Sequence, residues 1–182
     1  MSSEAFVSRL RVLQFVAALA VVLLIGGTAS AKLTIKSSAF SSGGAIPAKY
    51  TCDAQNPPNP PLAFSGVPKK AKSLVLIVED PDVPKNLVPT GLFDHWIVVD
   101  IPTDTKGYAE GQGPQGVNGA GKTGYIGPCP PDREHRYFFT LYALDTKVGD
   151  AKIASRADFE NSMKAHIIEK AEYMGRYEKQ KK

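Results

Sequence analysis

Residues 127–144 read G-P-C-P-P-D-R-E-H-R-Y-F-F-T-L-Y-A-L, a proline-stiffened elbow that runs directly into a strand-like apolar segment. In an extended chain, residues two apart point to the same side, so His135 and Tyr137 share one face while Arg136 takes the other. An imidazole and a phenol then project side by side from one rigid wall. The same H-x-Y pattern also suits an ordinary strand end with a satisfied histidine, so the rest of the chain has to decide between the two readings.

Upstream, residues 74–78 form a continuous aliphatic run, the pattern of a strand buried on both faces. The run ends in Glu79-Asp80-Pro81-Asp82-Val83-Pro84. Pro81 pushes Asp80 away from helical geometry, which leaves this carboxylate extended at the mouth of the strand. Asp-Pro steps are routine in solvated turns, yet two carboxylates on a proline-fixed turn also suit the rim of a pocket. A second apolar strand, residues 97–101, is opened by Asp94-His95-Trp96. Antiparallel pairing of these two strands predicts that Asp80 lies near His95, orienting the ring and favouring its charged form.

The glycine-rich segment 107–124 contains Gly116-Val117-Asn118-Gly119-Ala120-Gly121-Lys122-Thr123, which satisfies the phosphate-loop pattern G-x-x-x-x-G-K-[ST]. That pattern needs a strand before it and a helix after it. Here E-G-Q-G-P-Q precedes and Gly124-Tyr125-Ile126-Gly127-Pro128 follows, so nucleotide hydrolysis is set aside and a loop folded over the pocket is expected. Residues 33–35 predict a short strand, 37–50 a Ser/Gly-rich loop, and 51–61 a proline-rich connection. After strand 136–144 and a turn at 145–150, a helix is predicted from a Ser155 cap with Asp158 in its first turn. Phe159, Met163, Ile167 and Ala171 lie on its core face, and Gly175 ends it or begins the tail. His166 falls beside that stripe and reads as a surface or packing residue, not a ligand.

The chain has 182 residues and a formal net charge of +4. The first 31 residues have the shape of a secretory signal peptide: Arg9 and Arg11, an apolar run over 12–25, and Ala29-Ser30-Ala31 as the cleavage site. The predicted organisation is therefore a signal peptide (1–31), one domain (32–178) and a basic tail (179–182), in a periplasmic or secreted protein. An uncleaved signal anchor is the alternative, although the apolar run is shorter than the roughly 20 residues that span a bilayer. Basic residues from Lys170 onward carry the excess charge while the body is balanced, which argues against a nucleic-acid partner. Cys52 and Cys129 are too few for a zinc site, and in an oxidising compartment they make a disulfide possible without deciding whether one forms.

Taken together, Asp80-Pro81-Asp82-Val83-Pro84, Asp94-His95-Trp96 and Gly127-Pro128-Cys129-Pro130-Pro131 followed by His135-Arg136-Tyr137 resemble the phosphatidylethanolamine-binding protein family, also called Raf kinase inhibitor-like. Gly116-Val117-Asn118, Gly124-Tyr125, Ala165-His166-Ile167, Gly175 and Tyr177 look like its bacterial and archaeal branch. The resemblance implies a mainly β fold with a large central antiparallel sheet, a smaller sheet and few helices, one of them near the C-terminus. It also implies a small anion pocket for phosphate-like or phospholipid head groups, lined by Asp80, Asp82, His95, Pro131, His135 and Tyr137. Departures lie near Cys52, where Ala54 replaces a usual glycine and Pro58-Asn59 disturbs a Ser-Pro step; Phe64 stands where tryptophan is common.

The expected function is ligand binding with no metal and no cofactor, together with modulation or inhibition of a partner protein. Two alternatives remain: a protease or kinase inhibitor acting through surface loops, and a hydrolase or lyase using the same His/Asp set. Cys129 lies between prolines and no serine elbow is present, so no nucleophile with its base is recognisable and binding is favoured over catalysis.

Overall fold

The computed structural model describes residues 31–149 and 156–180. The signal-peptide segment 1–30, the Ser155 cap, the side chains of Asp158 and Phe159, and tail residues 181–182 lie outside the described residues. Among the described residues, seven strands and one α-helix follow in chain order: β1 Thr34–Ser37, β2 Leu62–Ser65, β3 Ser73–Asp80, β4 Phe93–Ile101, β5 Gly107–Tyr108, β6 His135–Leu144, α1 Arg156–Lys164 and β7 Ile167–Tyr177, with a 3-10 turn at Ala48–Tyr50. They form a four-stranded antiparallel sheet in the order β4-β3-β6-β7 and a three-stranded sheet in the order β1-β2-β5. The fold is therefore mainly β, with the large and small sheets expected from the sequence.

The aliphatic run on β3 explains how the layers stack. Leu74, Leu76 and Val78 face a core shared with Tyr137, Phe139 and Leu141 of β6 and with Ile35, Leu62 and Phe64 of the small sheet. Val75 and Ile77 face the opposite way, against Ile97, Leu144 and Met163 of α1. All five are fully buried, so β3 has no solvent face and reads as unbroken hydrophobicity. Leaving any one of these side chains in water would forgo roughly 1.5–3 kcal/mol. Arg156 anchors α1 to the sheet by ion pairs with Glu79 of β3, at 2.6 Å, and with Asp94 of β4.

One element departs from expectation. The helix stops at Lys164, and residues 167–177, which were expected to continue it as far as Gly175, form edge strand β7. Ten of its residues pair with β6, from His135↔Tyr177 to Leu144↔Ile167. A spacing of four lies on one face of a helix and equally on one face of a strand, so Ile167 and Ala171 fitted both. Gly175 does not end a helix. It faces Tyr137 across the ladder, where a Cβ would come within 2.5 Å of Ile46 and 2.7 Å of Phe40. His166 sits in the turn before β7, and its Nδ1 is 2.7 Å from Asp145. It is a surface residue, consistent with the sequence.

Segment 107–126 lies along the free edge of β4. Val117 exchanges backbone hydrogen bonds with Ile97, and Gly119 donates to Asp94. Gly116 permits this approach, because a Cβ there would stand 2.1 Å from the Ile97 carbonyl. The nucleotide-loop pattern folds instead around Asn118, whose Oδ1 accepts from the backbone of Ala120 and Lys122 while Nδ2 donates to Gly124. Amides that a phosphate loop would offer to a ligand are here consumed by a side chain.

Candidate functional site

Strand order explains the site. β3 lies between β4 and β6, so Asp80 at its end has His95 on one neighbour and His135 with Tyr137 on the other. His135 and Tyr137 are both 0% exposed while Arg136 between them is exposed, the alternation the extended segment predicts. Phe93 meets His95 edge-on at 5.0 Å, and His95 meets Tyr137 edge-on at 5.2 Å. Tyr137 and His135 then stack with centroids 6.5 Å apart. The four rings form one row across the end of the sheet.

Asp80 orients a different histidine from the one expected. Its Oδ2 lies 2.7 Å from His135 Nδ1, and its Oδ1 accepts from the backbone N–H of Asp82 at 2.8 Å. Sequence reading paired it with His95 because β3 and β4 are consecutive in the chain; the pairing of β3 with distant β6 was not visible. His95 is held instead by segment 107–126. Its Nδ1 donates to the Ile126 carbonyl at 2.8 Å, and Ile126 N–H donates back to the His95 carbonyl at 2.9 Å. A carbonyl only accepts, so the proton sits on Nδ1 and leaves the Nε2 lone pair of neutral His95 free. Burial pushes His95 below the ordinary imidazole range, outweighing the hydrogen bond to Ile126 and the Asp80 charge.

Asp82 is engaged from β6: its carboxylate accepts from Arg136 N, Nε and Nη2 at 3.0, 2.8 and 2.7 Å. This fork lowers its pKa from 3.8 to about 2. Stability contributed by the pair is fully present above pH 3.8 and is lost as pH falls through about 2. Arg136 is half exposed, so Arg136→Ala should cost only about 1 kcal/mol. A urea titration at pH 7 and again near pH 2 checks this: the difference between variant and wild type should shrink markedly at the acid end, and an undiminished difference there would refute the assignment. Pro131 is exposed and lines a cavity of about 360 Å³ with Pro130, Asp132, Arg133, Glu178, Lys179 and Gln180. None of the four rings lines that cavity; its link to them is Asp132, one residue on.

One residue outside the sequence expectation enters the site. Asp132 Oδ1 lies 2.8 Å from His135 Nε2, so both nitrogens of this buried ring face carboxylates. Both bonds form together when both ring nitrogens carry protons. In the sequence, its offset of three from His135 is the only signal that could have pointed to it.

Tyr137 Oη is buried and, among the described residues, has no hydrogen-bond partner. Burial, assisted by the nearby Asp80 charge, drives its pKa far above the ordinary phenol value, so the group is a permanent O–H donor. Native interiors seldom leave such a donor unpaired, because it forfeits roughly 1–3 kcal/mol.

The disposition of these motifs agrees with what the chain is similar to. A family profile described as phosphatidylethanolamine-binding protein matches residues 36–178. The chain belongs to the phosphatidylethanolamine-binding protein family. A UPF0098 protein of Chlamydia pneumoniae is 49% identical over 150 residues, covering 81% of this chain and 99% of that protein. One from Methanothermobacter thermautotrophicus is 43% identical over 154 residues, covering 80% and 98%. Among solved structures, a phosphatidylethanolamine-binding protein homologue of Chlamydia trachomatis, CT736, aligns with a TM-score of 0.77 at 47% identity, covering 83% of this chain and 100% of the other. Escherichia coli YbcL, described as a new member of the mammalian PEBP family, aligns at 0.69 and 29%, covering 82% and 100%. The bacterial and archaeal relatives agree with the branch suggested by the sequence.

Segments 51–54 and 127–129 are drawn together beside the site. Cys52 and Cys129 are joined as a disulfide with a Cα separation of 5.3 Å, and Cys52 N–H donates to the Pro128 carbonyl. Among the described residues no free cysteine remains, and no helix is long and apolar enough to cross a membrane.

Proposed function

We propose that this family member is an exported binding protein whose ring row accepts a phosphate-bearing ligand, a phosphate monoester or a phospholipid head group. The observation that carries this reading is the orphaned Tyr137 hydroxyl, buried between two histidine rings. A phosphate oxygen is a strong acceptor for it. The neutral His95 Nε2 accepts a hydrogen bond from the P–OH of a monoanionic phosphate or from a ligand ammonium, and His135 supplies a ring N–H. Such a set reads a group carrying both an acceptor and a proton.

The reading is of a receptor without turnover. Both cysteines are in the disulfide, and a buried phenol far above its ordinary pKa is a poor nucleophile. Export is supported by the N-terminal Arg9/Arg11, apolar 12–25 and Ala29-Ser30-Ala31 pattern, and by a disulfide that suits an oxidising compartment.

Calorimetric titration with phosphate and phosphoethanolamine provides the test. Tyr137→Phe and His95→Ala should each weaken binding at least tenfold, the loss of one charge-assisted hydrogen bond. Equal affinity in wild type and both variants would sink the proposal. Turnover of a phosphoester by wild type that disappears in His95→Ala would replace it with the catalytic alternative.

A further inference from the structure

We propose that Asp132 is an internal competitor for the ligand: its carboxylate occupies His135 Nε2, and an incoming oxyanion binds by taking its place. The inference rests on the anion-site reading above and adds what limits affinity there. A carboxylate oxygen and a phosphate oxygen are equivalent acceptors for an imidazole N–H, so both compete for one seat.

The two carboxylates on His135 are not alike. Asp80 is fixed, with only 6% of its side chain exposed and both oxygens engaged, one by the ring and one by the backbone of Asp82. Asp132 is 41% exposed, and among the described residues its other oxygen is held only by Arg133, itself 59% exposed. His135 is fully buried, so its Nε2 is reached from outside through the position Asp132 occupies. Among the described residues, the backbone of 130–134 makes no backbone–backbone hydrogen bond, which places this segment at the easily opened end of the fold. The cavity of about 360 Å³ that it lines with Glu178, Lys179 and Gln180 offers room for the displaced side chain.

Asp132 also fills the site incompletely. It satisfies His135 but leaves Tyr137 Oη without a partner. A tetrahedral oxyanion has oxygens to spare and can meet His135 and Tyr137 together, which the single internal carboxylate does not do. When Asp132 leaves, Arg133 at the rim is freed from its ion pair to face the anion.

The experiment compares phosphate and phosphoethanolamine binding to wild type, Asp132→Asn, Asp132→Gly and Tyr137→Phe by calorimetry. Removing the competing charge should tighten both ligands about tenfold in Asp132→Asn and Asp132→Gly, while Tyr137→Phe loses binding. A gain under threefold, or weaker phosphoethanolamine binding in the two Asp132 variants, overturns the competitor and leaves the anion site standing. If Tyr137→Phe binds as well as wild type, or if nothing binds in any form, the anion-site reading fails and the competitor with it. The two Asp132 variants together guard against a folding artefact, since both should keep the wild-type circular dichroism spectrum.

Discussion

Asp80→Ala is expected to lower the unfolding free energy by about 2–4 kcal/mol and to abolish ligand binding. The magnitude is that of leaving two donors, the His135 ring nitrogen and the Asp82 backbone N–H, without their acceptor at roughly 1–3 kcal/mol each. His135 is fully buried, and its Nδ1 would face an apolar hole; the turn that offers Asp82 to Arg136 would also lose its anchoring acceptor. Asp80→Asn keeps an acceptor of similar shape and should cost about half as much. Urea denaturation at neutral pH measures both. A loss below 1 kcal/mol in Asp80→Ala would show that the pair does not organise the end of the sheet.

Removing the Cys52–Cys129 bridge should have an effect of similar size. The linked residues are 77 apart in sequence, and the chain-entropy relation gives about 4 kcal/mol for closing such a loop in the unfolded state. For a domain of this size that is a fall in melting temperature of roughly 10 °C. Cys52→Ser/Cys129→Ser and the reduced wild type should melt together, below the oxidised protein. Coincident melting of oxidised and reduced protein would mean that the bridge adds nothing to stability. Its second role is positional: it ties segment 127–129, which leads into the elbow before His135, to the segment around Thr51, whose neighbour Tyr50 takes a hydrogen bond from Tyr125.

Much of this architecture was legible because its signals are local. The aliphatic run of β3, the apolar stretch of β4 and the His135/Tyr137 alternation on β6 each need only their own residues to be recognised. β7 was not legible in the same way. Its sequence, I-I-E-K-A-E-Y-M-G-R-Y, mixes good helix formers with a spacing of four that a helix and a strand share. Pairing with β6 decided the outcome, and tertiary context overrode propensity. The candidate site shows the same division. Its ring residues were recognisable by type, whereas the partner of each was not. Asp80 chose His135 because β6 flanks β3, and His95 found the Ile126 carbonyl because a glycine-rich loop lies along β4. Asp82, expected among the ligand-binding groups, accepts in the fold from Arg136, a partner the sequence did not reveal. Asp132 was not among the expected site residues, and the fold sets it 2.8 Å from a buried ring.

A crystal structure of the protein grown with phosphoethanolamine tests the central claim most directly. The account predicts a phosphate oxygen within about 3 Å of Tyr137 Oη and another at His135 Nε2, with the Asp132 carboxylate turned away. Phosphate found elsewhere on the surface, with Asp132 still on His135 and Tyr137 Oη still without the ligand, would contradict it.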